Sequence, residues 1–338
     1  MKVLLYSENQ RTFKKSGIGH ALLQQQDALN QNGIEVTFDK NDTFDLCHFN
    51  TLLGKSYRFL KKLKKKGIPY LVHGHSTKED FLNSFKFSNS FLSPWFNHNI
   101  LRMYNNTNYI VTPTTYSKSL IESYGVKAKV YAISNGINVK KYEEQMKYTK
   151  EEEEDFYKFL NINKDDKFII GMGFYFVRKG LIDFMEVARS FPDIKFIWFG
   201  KRYPFITSRP IMKALRHKPK NVLLPGYINT NYKKIAFAKA SLFFFPSYEE
   251  TEGIVTLEAL ASKLPLLVRD IKVYDGWLKK DYNCHMATDN KGFIEEIKKI
   301  LTTDQTKMVE NGYQVVLERD LKIIGAKLKK VYEEVLAK

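Results

Sequence analysis

The stretch FFFPSYEETEGIVTLEAL, residues 243–260, has the order of a buried strand, a polar turn and a helix that begins near Gly253. Three consecutive phenylalanines before Pro246 are typical of a strand that is buried on both faces. The sequence SKLPLLV, residues 262–268, then supplies a turn and a further apolar strand. Together these residues predict one strand–helix–strand unit of a parallel sheet.

The same alternation of short apolar runs and helical stretches continues along most of the chain, which is typical of parallel sheets with helices on both faces. The fold class is therefore predicted to be α/β, with two Rossmann-like doubly wound domains. The predicted strands are 3–6, 34–38, 46–49, 70–73, 109–112 and 129–133 in the first half, and 168–172, 195–200, 222–224, 242–246 and 266–269 in the second.

The length of 338 residues exceeds what one hydrophobic core usually holds, so we expect two domains, at 1–140 and 167–320. Residues 141–166 contain an acidic run and no strand candidate, which indicates a linker with a short helix. Helical spacing of apolar residues in 321–338 predicts a C-terminal helix that packs back on the first domain. Two doubly wound domains are expected to face a central cleft, where such folds bind ligands.

The composition excludes several classes of protein. Cys47 and Cys284 are far apart, which favours reduced thiols in the cytoplasm. No apolar stretch approaches the roughly 20 residues that span a bilayer, and the first residues are too short for a signal-peptide core. The net charge of +17 indicates an anionic partner, which can be nucleic acid, lipid headgroups or a phosphorylated substrate.

The polar turn at 247–253 places two carboxylates eight residues apart, Glu250 in the turn and Glu258 in the helix. One can reach a sugar at the start of the helix, and the other can reach a ribose. The peptide N–H groups of Gly253 and Ile254 are placed to hold diphosphate oxygens, with help from the helix dipole. The alternative is that these glutamates only cap and solvate the helix.

This segment resembles the E-x7-E region of family 4 retaining glycosyltransferases, which have the two-Rossmann-domain architecture called GT-B. The resemblance implies that Glu250 binds sugar hydroxyls and Glu258 the ribose. It also implies that the remaining turn residues contact the donor, namely Ser247, Thr251, Glu252, Gly253 and Ile254.

Three further segments support this resemblance. The turn SNGIN, residues 134–138 and including Asn135, is similar to the family's turn before the domain crossing. The sequence GIG, from Gly17 to Gly19, is similar to the glycine loop near the donor phosphates. The segment from Gly173 to Gly180 resembles the phosphate clamp, in which Lys179, with Arg178, would neutralise the departing diphosphate. The family often has Arg after the first glycine of this clamp, whereas this chain has Phe174.

A histidine motif, His73-Gly74-His75, follows a predicted strand and is expected at the ligand-binding end of the sheet. His75 is predicted to orient the reacting sugar or the acceptor hydroxyl; the alternatives are a packed histidine or a metal ligand. The sequence has no D-x-D pair, so no metal is expected. Neither glycine cluster completes G-x-G-x-x-G, which disfavours a nicotinamide or flavin cofactor. No cofactor is predicted.

Residues 56–66 predict a basic helix whose apolar stripe either enters a membrane interface or packs on its own sheet. An aromatic segment near residue 95 is a second candidate for lipid contact. The predicted membrane-binding residues are Arg58, Phe59, Lys61, Lys62, Lys64, Lys65, Lys66, Trp95 and Phe96.

Within family 4, the segments 75–81, 176–180 and 269–277 look most like bacterial diacylglycerol and glucosyl-diacylglycerol glycosyltransferases. The resemblance implies retaining transfer of glucose or galactose from a UDP-sugar to glucosyl-diacylglycerol or diacylglycerol, giving an α-linked glycolipid. The enzyme would lie peripherally on the inner face of the cell membrane. One alternative is an enzyme of the same fold with a polysaccharide or wall-polymer acceptor. A more remote one is a non-enzymatic nucleic-acid-binding protein. No nucleic-acid partner is expected, because no recognised basic-aromatic module accompanies the positive charge.

Overall fold

The apolar runs of the first half form a six-stranded parallel sheet. The computed structural model describes residues 1–8, 17–81, 92–203 and 207–337. The strands are β1 (Lys2–Tyr6), β2 (Glu35–Thr37), β3 (Leu46–Phe49), β4 (Tyr70–His73), β5 (Tyr109–Thr112) and β6 (Lys129–Ala132). Their order in the sheet is β2-β1-β3-β4-β5-β6. The chain leaves β1 toward one edge of the sheet and β3 toward the other, so a switch point lies between these two strands.

The second half forms another six-stranded parallel sheet. Its strands are β7 (Phe168–Met172), β8 (Lys195–Phe199), β9 (Val222–Gly226), β10 (Leu242–Phe245), β11 (Leu266–Arg269) and β12 (His285–Ala287). Their order is β12-β11-β10-β7-β8-β9, with the switch point between β7 and β10. The sequence does not predict β12, which is only three residues long and contains a histidine.

Helices connect nearly all of these strands, as parallel pairing requires. Two 3-10 turns, Val177–Lys179 and Lys272–Tyr274, follow β7 and β11. The helices are α1 (Gly17–Asn30), α2 (Gly54–Lys65), α3 (Lys78–Phe81), α4 (Leu92–Tyr104), α5 (Thr115–Ser123), α6 (Val139–Gln145), α7 (Lys150–Leu160), α8 (Leu181–Ala188), α9 (Arg209–Arg216), α10 (Thr230–Lys239), α11 (Ile254–Ala261), α12 (Asn290–Thr302), α13 (Thr306–Leu317) and α14 (Leu321–Leu336).

The described residues divide into two compact units, of which the first combines residues up to 138 with those from 318 onwards. The C-terminal helix α14 joins the first unit because its apolar stripe, including Leu328 and Tyr332, lies in the same core cluster as Val3 and Leu29. Gly325 lies directly against the backbone of α1, where a Cβ would collide with the Ala28 carbonyl. This glycine allows the two helices to approach closely.

Residues 141–166, which the sequence analysis assigned to a linker, lie within the second unit. The acidic run conceals an apolar stripe on α7, whose Phe156, Tyr157 and Leu160 are buried. Phe156 packs against Phe168 at the start of β7, with ring centroids 6.2 Å apart. The charges of α7 therefore lie on one face of a helix that covers the second sheet.

Candidate active site

Two loops meet at the switch point of the second sheet, one after β7 and one after β10. The Tyr248 N–H donates to the Arg178 carbonyl at 2.7 Å, and Ser247 Oγ lies 3.0 Å from the same carbonyl oxygen. Gly180 has a positive φ of 76°, and a Cβ there would collide with the Pro246 carbonyl. Only glycine therefore allows the loop that carries Lys179 to pack this closely on the loop that carries Glu250.

The centre of this arrangement is an ion pair between Lys179 and Glu250. The Lys179 Nζ lies 2.5 Å from Glu250 Oε1, and both side chains are largely buried. Ser247 Oγ donates to the same carboxylate oxygen at 2.7 Å. Arg178 Nη1 lies 4.0 Å from it and donates to the Glu249 carbonyl at 3.0 Å. The structure thus brings together four residues that the sequence analysis selected separately.

The charge state of Glu250 follows from its surroundings. Burial alone raises the pKa of this carboxyl, but the charges of Lys179 and Arg178 more than offset burial and leave the pKa below its ordinary value. Glu250 is therefore ionised at neutral pH. A buried carboxylate held between two cations can accept hydrogen bonds from a neutral polyol, and the cations can bind an anionic group.

Glu258 lies in α11, which begins after Gly253, a residue with a positive φ of 81°. Lys233 Nζ contacts Glu258 Oε1 at 2.5 Å. The other carboxylate oxygen, Oε2, is buried and has no hydrogen-bond partner among the described residues. A buried acceptor without a partner is suited to accept a hydrogen bond from a ligand hydroxyl.

Three residues around these loops were not selected from the sequence as site residues. Lys233 pairs with Glu258. Arg269 donates to the Pro246 carbonyl at 3.2 Å, and its guanidinium lies 3.8 Å from the centre of the Tyr248 ring. The hydroxyl of Tyr274 is buried beside Gly253. Each comes from a different element, so no local spacing marks it.

His75 lies in the first unit, just after β4. Its Nε2 lies 2.8 Å from Asn50 Oδ1, and the amide nitrogen of Asn50 donates to the His48 carbonyl. Asn50 therefore presents its oxygen, so the His75 proton is on Nε2. Burial lowers the pKa of His75 to about 3, which makes the ring neutral at physiological pH.

Two further histidines lie behind His75. The ring of His73 stacks on His75 at 3.8 Å, and that of His48 stacks on His73 at 5.2 Å. Burial lowers the pKa of His48 to about 3, and burial with the neighbouring imidazoles lowers that of His73 well below its usual value. Among the described residues, none of these histidines belongs to a group of three potential metal ligands.

The remaining predicted donor residues are distributed between the units. Gly17 begins α1, Gly19 is buried in its first turn, and Asn135 is buried in a turn that lies against α14. In the second unit, the Gly173 carbonyl accepts a hydrogen bond from Trp198 Nε1 at 2.9 Å. Thr251 and Glu252 lie in the same loop as Glu250, and Ile254 opens α11. Their roles toward a ligand remain predictions.

The basic helix α2 packs its apolar stripe on its own sheet. Leu60 and Leu63 are buried, and the Phe59 ring lies 4.8 Å from that of Tyr6. Phe96 is also packed against this core, whereas Trp95 is 55% exposed. Phe59 and Phe96 are therefore partly buried against this core rather than fully exposed. The exposed residues of the predicted membrane surface are Arg58, Lys61, Lys62, Lys64, Lys65, Lys66 and Trp95.

The first residues of α2 donate hydrogen bonds to the carboxylate of Glu8, which follows β1 in the chain. Glu8 is buried and accepts hydrogen bonds from the Ser56 hydroxyl at 2.8 Å and from the Lys55 and Ser56 N–H groups at 3.3 Å. A carboxylate at the start of a helix and lysines at its end both suit the helix dipole. Among the described residues, no helix is both long and apolar enough to cross a bilayer.

Comparisons with known proteins match both halves of the chain. The models Glycosyltransferase Family 4 and Glycosyl transferases group 1 match residues 17–141 and 152–315. The processive diacylglycerol alpha-glucosyltransferase of Acholeplasma laidlawii is 46% identical, over 99% of this chain and 99% of its own length.

Two solved structures have a similar fold at low sequence identity. Sucrose-phosphate synthase from Thermosynechococcus elongatus has a TM-score of 0.80 and 16% identity, covering 100% of this chain and 99% of that one. Anabaena Alr3699/HepE in complex with UDP-glucose has a TM-score of 0.77 and 15% identity, covering 99% and 100%. At these identities the two structures show a shared fold.

Proposed function

The chain belongs to the family 4 glycosyltransferases, and from this premise we propose that it is a retaining hexosyltransferase that forms an α-linked glycolipid. The donor is UDP-glucose or UDP-galactose, and the acceptor is glucosyl-diacylglycerol or diacylglycerol. The observation that carries the proposal is the full-length identity of 46% to a relative named as a diacylglycerol alpha-glucosyltransferase. The Lys179–Glu250 pair at the switch point supports it chemically.

The chemistry of the donor side follows from the two loops. Lys179 and Arg178 bind the diphosphate, and their hydrogen bonds strengthen as the leaving group gains negative charge. The peptide N–H groups at Gly253 and Ile254 hold further diphosphate oxygens at the start of α11. Glu250 accepts hydrogen bonds from sugar hydroxyls, and the unpartnered Oε2 of Glu258 accepts one from the ribose.

Transfer with retention then proceeds on one face of the sugar. The bond between the anomeric carbon and the diphosphate oxygen breaks while a bond to the acceptor oxygen forms. The proton of the acceptor hydroxyl moves to the departing phosphate oxygen, so no protein nucleophile is required. His75, neutral with its proton on Nε2, orients the sugar or the acceptor hydroxyl without titrating near neutral pH.

The membrane part of the proposal rests on charge. The lysines of α2 are exposed and make this helix basic, and Trp95 of α4 is exposed as well. Each Lys or Arg near an anionic leaflet contributes roughly 1 kcal/mol, so several together give reversible docking. We propose peripheral binding to the inner face of the cell membrane, which places the enzyme beside its lipid acceptor. No cofactor, metal or nucleic acid takes part in this scheme.

One assay tests the reaction. The protein is incubated with UDP-glucose or UDP-galactose and with vesicles containing diacylglycerol or glucosyl-diacylglycerol, and the product is identified by mass spectrometry and by the proton coupling of its anomeric carbon. We expect an α-linked glycolipid. Transfer to a soluble polysaccharide but to neither lipid would contradict the acceptor assignment. A covalent sugar adduct on Glu250 would contradict the same-face mechanism.

A further inference from the structure

Tyr274 is fully buried, yet its hydroxyl has no hydrogen-bond partner among the described residues. The ring lies in the 3-10 turn after β11 and packs edge-to-face on Trp277, with centroids 5.5 Å apart. Buried polar groups in folded proteins are nearly always paired, because an unpaired one costs about 1–3 kcal/mol. An unpaired phenol therefore requires an explanation.

The position of this hydroxyl suggests its use. Tyr274 Oη lies 3.5 Å from the point where a Cβ on Gly253 would stand, and Glu250 Cγ lies 3.7 Å from the same point. The phenol and the side chain of Glu250 thus both lie beside the start of α11. Burial first, and then the negative charge of Glu250, raise the pKa of Tyr274 well above its ordinary value. The phenol keeps its proton and can only donate toward that carboxylate.

Glu250 has two side-chain donors among the described residues. The hydrogen bonds from Lys179 and Ser247 both reach Oε1. A diphosphate carries more negative charge than one carboxylate, so its arrival competes with Glu250 for the Lys179 ammonium. Glu250 would then be a buried carboxylate that has lost its main cationic partner, a state that costs several kcal/mol unless another donor replaces it.

We propose that Tyr274 is a positioning residue for Glu250: its hydroxyl donates to the carboxylate once the donor's diphosphate draws Lys179 away, and so holds Glu250 toward the sugar. The inference rests on the proposed function, since it takes a nucleoside-diphosphate sugar as the ligand. It explains why a hydroxyl without a partner is kept in a buried place where phenylalanine would fill the same volume.

The variant Tyr274→Phe tests this directly, because it removes only the oxygen. Removing an unpaired buried hydroxyl leaves the free enzyme as stable as before or more stable. We expect UDP to bind at least threefold more weakly by calorimetry, and kcat/KM for the UDP-hexose to fall at least tenfold. Tyr157→Phe is the matched control. Tyr157 is also buried in the second unit, but it packs on Phe168 at the start of β7, whereas the loop that carries Lys179 follows the end of that strand. It should change neither quantity.

A double-mutant cycle with Glu250→Gln separates positioning from packing. If Tyr274 acts through the Glu250 charge, Tyr274→Phe has no further effect on UDP affinity in the Glu250→Gln background. An equal loss in both backgrounds would overturn the proposal, as would UDP affinity and turnover within twofold of wild type in Tyr274→Phe. A wild-type chain that binds UDP but transfers no hexose would refute the proposed function, while the UDP cycle would still decide the role of Tyr274. A wild-type chain that does not bind UDP would refute both.

Discussion

At the scale of single residues, the chemistry of this chain depends on buried charges that hold one another. The Lys179–Glu250 pair is supported by Ser247, Arg178 and the backbone of a neighbouring loop. Such a pair is costly to bury and costly to break, because removing one partner leaves the other charged in a largely buried site. A charged ligand that replaces one of the partners would keep the remaining charge paired.

Lys179→Ala is predicted to lower kcat for hexose transfer by about 100-fold to 1,000-fold, the usual effect of losing one donor to a developing negative charge. The assay is initial-rate transfer from the UDP-hexose to lipid. Lys263→Ala is the control, because Lys263 pairs with Glu310 at the surface of the same unit, where both side chains are about half exposed. Turnover of Lys179→Ala equal to that of Lys263→Ala would remove Lys179 from the proposed role.

The three stacked histidines predict acid sensitivity. Their pKa values are lowered in the folded chain, to about 3 for His48 and His75. Below the unfolded pKa of about 6.5, the unfolded chain binds protons that the folded chain does not, so stability falls as the pH drops from about 6.5 toward 3. Each such histidine contributes about 1.4 kcal/mol per pH unit to the slope.

Urea unfolding between pH 7 and pH 4.5 measures this slope. His75→Asn is predicted to reduce it by about one histidine's share, and His98→Asn, which changes an exposed ring on α4, is predicted to leave it unchanged. An identical slope in wild type and His75→Asn would show that His75 is protonated in the folded chain.

At the scale of elements, α2 shows how one helix serves two surfaces. Leu60 and Leu63 complete the core of the first unit, while the lysines between and after them remain exposed. The sequence pattern allowed either core packing or lipid contact for the apolar stripe. In the structure the apolar stripe packs on the sheet of the first unit, so only the charged face of α2 is exposed to a partner.

Replacing Lys61, Lys62, Lys64 and Lys65 of α2 with Gln is therefore predicted to weaken binding to vesicles that contain anionic lipid, by an amount that shrinks at high salt. The control neutralises the four exposed lysines of α14, Lys322, Lys327, Lys329 and Lys330, which keeps the net charge of the two variants equal. Co-sedimentation at two salt concentrations gives both affinities. Equal weakening in the two variants would assign binding to total charge rather than to α2.

At the scale of the whole molecule, the α/β class and the two doubly wound domains of the GT-B architecture are confirmed by the two sheets and by the fold shared with the two solved structures. Among the described residues, the first unit is formed by both ends of the chain and the second by the segment 139–317. The proposed donor-phosphate ligands from Gly173 onwards lie in this segment.

The fragment 139–317 is consequently predicted to unfold cooperatively and to bind UDP, since its sheet, core and donor loops come from one stretch of chain. Calorimetric unfolding with and without UDP measures both properties. The same fragment carrying Lys179→Ala is the control and should show a smaller stabilisation by UDP. A fragment that folds but is not stabilised by UDP would show that the first unit supplies essential donor contacts.

The sequence by itself determined the positions of eleven of the twelve strands, the α/β class and the turn that carries Glu250, because buried parallel strands are marked by continuous apolar runs and by the turns that end them. Only the tertiary structure decided that Glu250 pairs with Lys179, 71 residues earlier, and that α7 and α14 belong to different units. It also decided that the Tyr274 hydroxyl, near the Glu250 side chain, has no hydrogen-bond partner among the described residues. Periodicity reports which face of an element is apolar, whereas the partner that covers that face, or neutralises a buried charge, is set by strand order and by contacts between residues distant in the chain.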